Sequence, residues 1–218
     1  MMNQSIIALV VTAPVAFATA EGAVVHLSHE SVAFQDEASK LAKVNEAFDA
    51  LRAALTELPP ILSDALEASV QEEELQRKKA EEKGGTDWRC ESELRRAKDR
   101  SADRRKAAST LVQRAENKWA AAKGAARDLP ADKLPWGSAP ADAKAVNDAI
   151  LRVRKLYNDI NSAQSSIGPK RIASIWKGAQ DYASKQPSKL PSVKAEDIVP
   201  ANIVVPCINT TVAMRPGK

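Results

Sequence analysis

Between positions 34 and 58 the apolar residues recur at a seven-residue interval. Phe34, Leu41, Phe48 and Leu55 form one series. Val44, Leu51 and Leu58 form a second, each three places after a member of the first. Two interleaved series of this kind draw an a/d seam down one side of a helix for roughly three heptads. A seam that long must be covered, so the helix is expected to pack lengthwise against other helices. No other stretch constrains the fold as strongly.

The composition agrees with that constraint. Aromatic residues make up only 4% of the chain, which suits long helices packed through small side chains better than stacked sheets. The 218 residues are enough for one sizeable core. The net charge of +4 is too mild to mark a nucleic-acid protein.

The rest of the chain reads as further helices with breaks between them. Pro59-Pro60 is expected to stop the first helix near Leu58, because the residue before a proline avoids the α region. A second helix is expected over 60–83. Its apolar edge of Leu62, Leu66 and Val70 fades into charged residues and points to a solvent-exposed end. Gly84-Gly85 then breaks it. A third helix over 86–128 carries Leu94, Ala97 and Ser101, then Ala108, Leu111, Ala115, Trp119, Ala122 and Ala126. A Pro-rich loop follows, in which Trp136 is the one large apolar group. The fourth helix, 140–167, repeats Val146, Val153, Ile160 and Ile167 every seven residues and is the natural partner of the first. A shorter helix over 172–185 carries Ile172, Ile175, Trp176, Ala179 and Tyr182 on one side. Beyond it Pro187, Pro191, Pro200, Pro206 and Pro216 predict an extended, non-helical tail.

The address is written at the N-terminus. Ile6 to Phe17 is an apolar run ending in Ala18-Thr19-Ala20, a small-x-small cleavage site before Glu21. Residues 1–20 therefore read as a secretory signal peptide, 21–186 as the helical domain and 187–218 as the tail. In an exported chain Cys90 and Cys207 have one intramolecular pairing, closing a loop of about 117 residues. Chain entropy puts its stabilisation at roughly 4–5 kcal/mol. Asn209-Thr210-Thr211 is an N-glycosylation sequon in an exposed tail.

Sites for chemistry are scarce. His26 and His29 share a His-x-x-His spacing with no clear third ligand, so no metal and no cofactor are expected. There is no Gly-rich phosphate loop, no serine-hydrolase elbow and no metalloprotease motif. The chain is expected not to be an enzyme, and no small-molecule substrate is expected. The best polar candidate is the basic stretch 95–106, with seven basic residues and two acidic ones. Arg95, Arg96, Lys98, Arg100, Arg104, Arg105 and Lys106 would together contact an anionic macromolecule. The opposing reading is a solvated helix face on which Asp99 and Asp103 pair with basic neighbours three or four residues away. Trp88, beside the glycines, is expected to be buried; exposed at a helical-hairpin tip, it would be a contact residue.

Together these features resemble the helical surface-coat glycoproteins of trypanosomes, the variant surface glycoproteins and the smaller alanine-rich coat proteins. The residues that carry the resemblance are Ala18-Thr19-Ala20, the heptads of the first and fourth helices, Lys118-Trp119-Ala120-Ala121-Ala122-Lys123, and Asn209-Thr210-Thr211. The resemblance implies a protective or receptor-like surface role without catalysis, and a glycolipid anchor only if the sequence continues beyond Lys218.

The expected fold is thus all-α: an elongated antiparallel bundle of three or four helices with an extended tail tied back by Cys90 and Cys207. The expected function is that of a non-enzymatic secreted or cell-surface glycoprotein, a coat, antigen or receptor-like binding module. Its partner would be a protein or glycan and not nucleic acid, with homo-oligomerisation left open. Two alternatives stand beside it: an effector that binds a glycan or nucleic acid through 95–106, and an intracellular coiled-coil partner.

Overall fold

A computed structural model describes residues 24–81, 87–136, 140–161, 169–185 and 190–215. The expected signal peptide, Gly84-Gly85 and Pro187 lie outside them, as do the side chains of His26 and His29. The elements in order are α1 (Val24–Glu81), α2 (Trp88–Asp128), a 3-10 turn (Ala131–Lys133), α3 (Pro140–Asn161), α4 (Pro169–Ser184), α5 (Ala195–Ile198), β1 (Asn202–Val205), a second 3-10 turn (Pro206–Ile208) and β2 (Thr210–Ala213). The described chain is mostly helical, with a small two-stranded sheet near its C-terminus.

The chain divides into two compact units, Met1–Glu37 and Ala38–Lys218. In the first, Phe34 is 76% exposed, which corrects its expected place on the seam. Within the second unit the buried seam runs through Val44, Phe48, Leu51, Leu55 and Leu58, with Leu41 half-buried at its start.

Pro59-Pro60 does not end the helix. Both prolines lie inside α1, Pro59 buried and Pro60 exposed. A proline in a helix interior forfeits a backbone hydrogen bond and costs about 3 kcal/mol. The seam continues in phase across them, since Leu55, Leu58, Leu62 and Leu66 are all fully buried. Each buried leucine contributes roughly 1.5–3 kcal/mol, so packing on both sides outweighs the two lost bonds. The buried edge reaches past Val70 to Leu75, and beyond it the last residues of α1 are mostly exposed.

Residues paired between α1 and α2 fall in number on one helix as they rise on the other. Lys118 reaches Glu46, Arg104 reaches Asp64, Ser101 meets Ser69 and Lys79 reaches Glu91. The two helices are therefore antiparallel neighbours. The small residues Ala97, Ala108, Ala115 and Ala122 of α2 are buried, which permits close approach. Helix α3 meets α2 through Trp119, whose Nε1 donates to Asn147 Oδ1 at 3.2 Å, and through the Arg154–Glu116 ion pair. Helix α4 meets α3, with Arg152 donating to the Lys185 carbonyl oxygen. The buried residues Val146, Val153, Leu156, Ile160, Ile175, Ala179 and Tyr182 of these two helices join one core with the α1 seam. Trp136 closes the α2–α3 connection over that core, its ring 6.0 Å from Phe48 and 5.8 Å from Trp119.

The C-terminal segment is not an extended tail. From Ala195 it forms one helical turn and then an antiparallel hairpin in which Ile203 faces Val212 and Val205 faces Thr210. Ile203 and Val205 point inward and Asn202 and Val204 outward, the alternation that a pleated strand imposes. Ile198, Val199, Ile203 and Met214 belong to the main core. Arg215 fastens the base of the hairpin: its guanidinium donates to the Val199 carbonyl and lies 5.2 Å over the Trp176 ring of α4.

Candidate functional site

The features that bear on function gather where α2 begins. Asp87 caps that helix, its Oδ1 accepting from the Arg89 backbone N–H at 3.2 Å. A carboxylate is favoured here because it satisfies a free N–H and faces the positive end of the helix. Cys90, in the first turn, is buried and bonded to Cys207, with 5.5 Å between their Cα atoms. The pairing expected from the sequence is the one observed. It ties α2 to the hairpin turn, and Leu75, Cys90 and Val205 form a small apolar cluster there, separate from the main core.

The turn itself places the sequon. Pro206–Ile208 makes a 3-10 turn that ends at Asn209, whose φ of 49° lies in the left-handed region. Asparagine tolerates that conformation better than most residues. Asn209 and Thr211 are both exposed, so the side chains of the sequon face solvent on a tight turn two residues beyond the disulfide.

Trp88 corrects the expectation that it is buried. It is 72% exposed, with the Arg89 guanidinium 5.7 Å from its ring centroid. An open groove of about 350 Å³ lies at the same end of α2, lined by Asp87 and Arg89, the sequence neighbours of Trp88, and by Glu93, Pro206 and Cys207.

The basic stretch is divided in its use. Arg100 and Arg104 turn toward α1. Arg100 donates to Gln71 Oε1 at 2.7 Å and lies within ion-pair distance of Asp64 and Glu67, while Arg104 pairs with Asp64 at 2.6 Å. Arg105 reaches the Ser69 hydroxyl at 3.3 Å, and burial lowers its pKa against the attraction of Glu72. Arg96 pairs with Glu93 one turn earlier. Arg95, Lys98 and Lys106 are exposed. The seven cations thus do not form one face. The carboxylates that engage Arg100 and Arg104 come from α1, and not from Asp99 and Asp103 as local pairing would have it.

Three hydroxyls, those of Ser69, Ser101 and Tyr182, are buried. Ser69 and Ser101 meet at 3.0 Å between α1 and α2, and Ser69 also donates to the Ala65 carbonyl. The Tyr182 hydroxyl is buried with no hydrogen-bond partner among the described residues, and that burial raises its pKa. At the surface, Lys118 holds the Glu46 carboxyl below its ordinary value, and Lys185 does the same for Asp181. Among the described residues no three His, Cys, Asp or Glu side chains gather as a metal-ligand set, and no helix is long and apolar enough to cross a membrane.

Fold and site together define a mostly helical protein with one disulfide-anchored hairpin. No family model matches the chain, and no curated protein or solved structure is significantly similar to it.

Proposed function

We propose that the chain is a non-enzymatic exported glycoprotein, an antiparallel helical bundle serving as a surface coat, antigen or receptor-like binding module. One observation carries the reading. The Cys90–Cys207 bond and the exposed Asn209 of the sequon share a single turn. A disulfide persists in an oxidising compartment, and N-glycosylation belongs to the same export route. The apolar run ahead of Ala18-Thr19-Ala20 supplies the address. The resemblance to trypanosome coat glycoproteins agrees with this role. An anionic partner on 95–106 is the weaker alternative, because Arg100, Arg104 and Arg105 are drawn toward α1. The test is expression of the full chain in a eukaryotic secretory host. The expected product appears in the medium, begins at Glu21 and loses mass on deglycosylation. A chain kept inside the cell that still begins at Met1 would overturn the proposal.

A further inference from the structure

We infer that Trp88 and the groove at the same end of α2 are a docking platform for the protein's own N-glycan, attached at Asn209. The inference rests on the glycoprotein reading above and names a role for its sugar. Trp88 is two residues before Cys90, and Asn209 is two residues after Cys207. The half-cystine Cα atoms are 5.5 Å apart. With consecutive Cα atoms 3.8 Å apart, the Cα atoms of Trp88 and Asn209 lie no more than about 21 Å from each other. An asparagine side chain, an indole and the first few sugars of a glycan span that interval together.

The chemistry on the platform suits a sugar. An exposed indole offers an apolar face for the C–H face of a pyranose ring. Burying so large an aromatic surface is favourable, as is pairing it with a ligand that keeps its hydroxyls in water. Asp87, Arg89 and Glu93 line the groove and can bond to hydroxyl and acetamido groups. Arg89 links the two parts, since it lines the groove and also lies over the Trp88 ring. Pro206 and Cys207 line the groove, and Ile208 alone separates Cys207 from Asn209. A glycan on Asn209 is thus attached two residues beyond Cys207 of the groove lining, and tethering raises its effective concentration there. A weak sugar–indole contact would then be well occupied.

The test uses the full secreted chain and acrylamide quenching of its tryptophans, of which there are four. With the glycan present, Trp88 is shielded. Complete enzymatic deglycosylation should raise the quenchable fraction by about one tryptophan. The Trp88→Phe protein should show no such rise. Thr211→Ala gives a second route, because it removes the sequon while keeping Asn209 in its left-handed turn. That variant should quench like the deglycosylated protein. A glycosylated chain whose Trp88 quenches equally before and after sugar removal overturns this inference alone. Trp88 shielded equally in the Thr211→Ala variant also overturns it, and points to a second copy as the occupant. A chain secreted without any sugar overturns both this inference and the glycoprotein reading.

Discussion

Tyr182 carries a cost that the core accepts. Its ring is 2% exposed and packs with Ile175 and Ala179 of α4, yet its hydroxyl has no partner among the described residues. An unsatisfied buried hydroxyl costs about 1–3 kcal/mol. Tyr182→Phe removes it without opening a cavity, so a gain of about 1 kcal/mol is expected in urea unfolding. A loss of similar size would show that the hydroxyl has a partner after all. The same burial sets a pH dependence. The folded pKa of Tyr182 is raised, so the neutral phenol contributes stability that is complete below the ordinary tyrosine pKa. That stability is lost as pH climbs through the raised value, and Tyr182→Phe should blunt the alkaline unfolding. The position of Tyr182 on an apolar face was visible in the spacing, but its unmet hydroxyl was not, because periodicity reports burial and not partners. Trp88 shows the reverse limit. Composition makes a tryptophan a core residue by default, yet Trp88 precedes the buried stripe of α2, which begins at Cys90.

At the level of the element, the two prolines in α1 show how packing overrides local preference. The leucines at 55, 58 and 62 stay in phase across Pro59-Pro60, and this continuity in the sequence was a signal that the helix does not stop. Pro60 is exposed, so its replacement loses little packing. Pro60→Ala restores an N–H that can bond to the Thr56 carbonyl four residues back. It should stabilise the protein by about 1–3 kcal/mol in denaturant titration, with helical circular dichroism unchanged or higher. If Pro60 opened a new helix, its missing N–H would cost nothing, and the same change would bring no gain. The C-terminal hairpin was missed for a related reason. Its prolines flank the strands instead of interrupting them: Pro200 precedes β1 and Pro206 opens the turn. Four-residue strands carry too little alternation to outweigh such a proline count.

For the whole molecule, the heptads expected over 34–58 and 146–167 pointed to a mostly helical chain; Val44–Leu58 and Val146–Ile160 share one core, while Phe34 is exposed and Ile167 lies outside the described residues. The disulfide was legible because only two cysteines exist. The same pairing brings α2 to the C-terminal segment across 117 residues, but nothing in the spacing showed that this segment folds there as a hairpin. That meeting brings Trp88, the groove and Asn209 to one end of α2. The proposed role depends most on this end of α2 being built for an oxidising, glycosylating compartment. The direct test is peptide mapping of protein taken from its natural source, with free thiols alkylated before the cells are broken. The expected result is a cross-linked peptide pair joining Cys90 to Cys207 and a sugar on the Asn209 peptide. Recovery of both cysteines alkylated, with Asn209 unmodified, would contradict it.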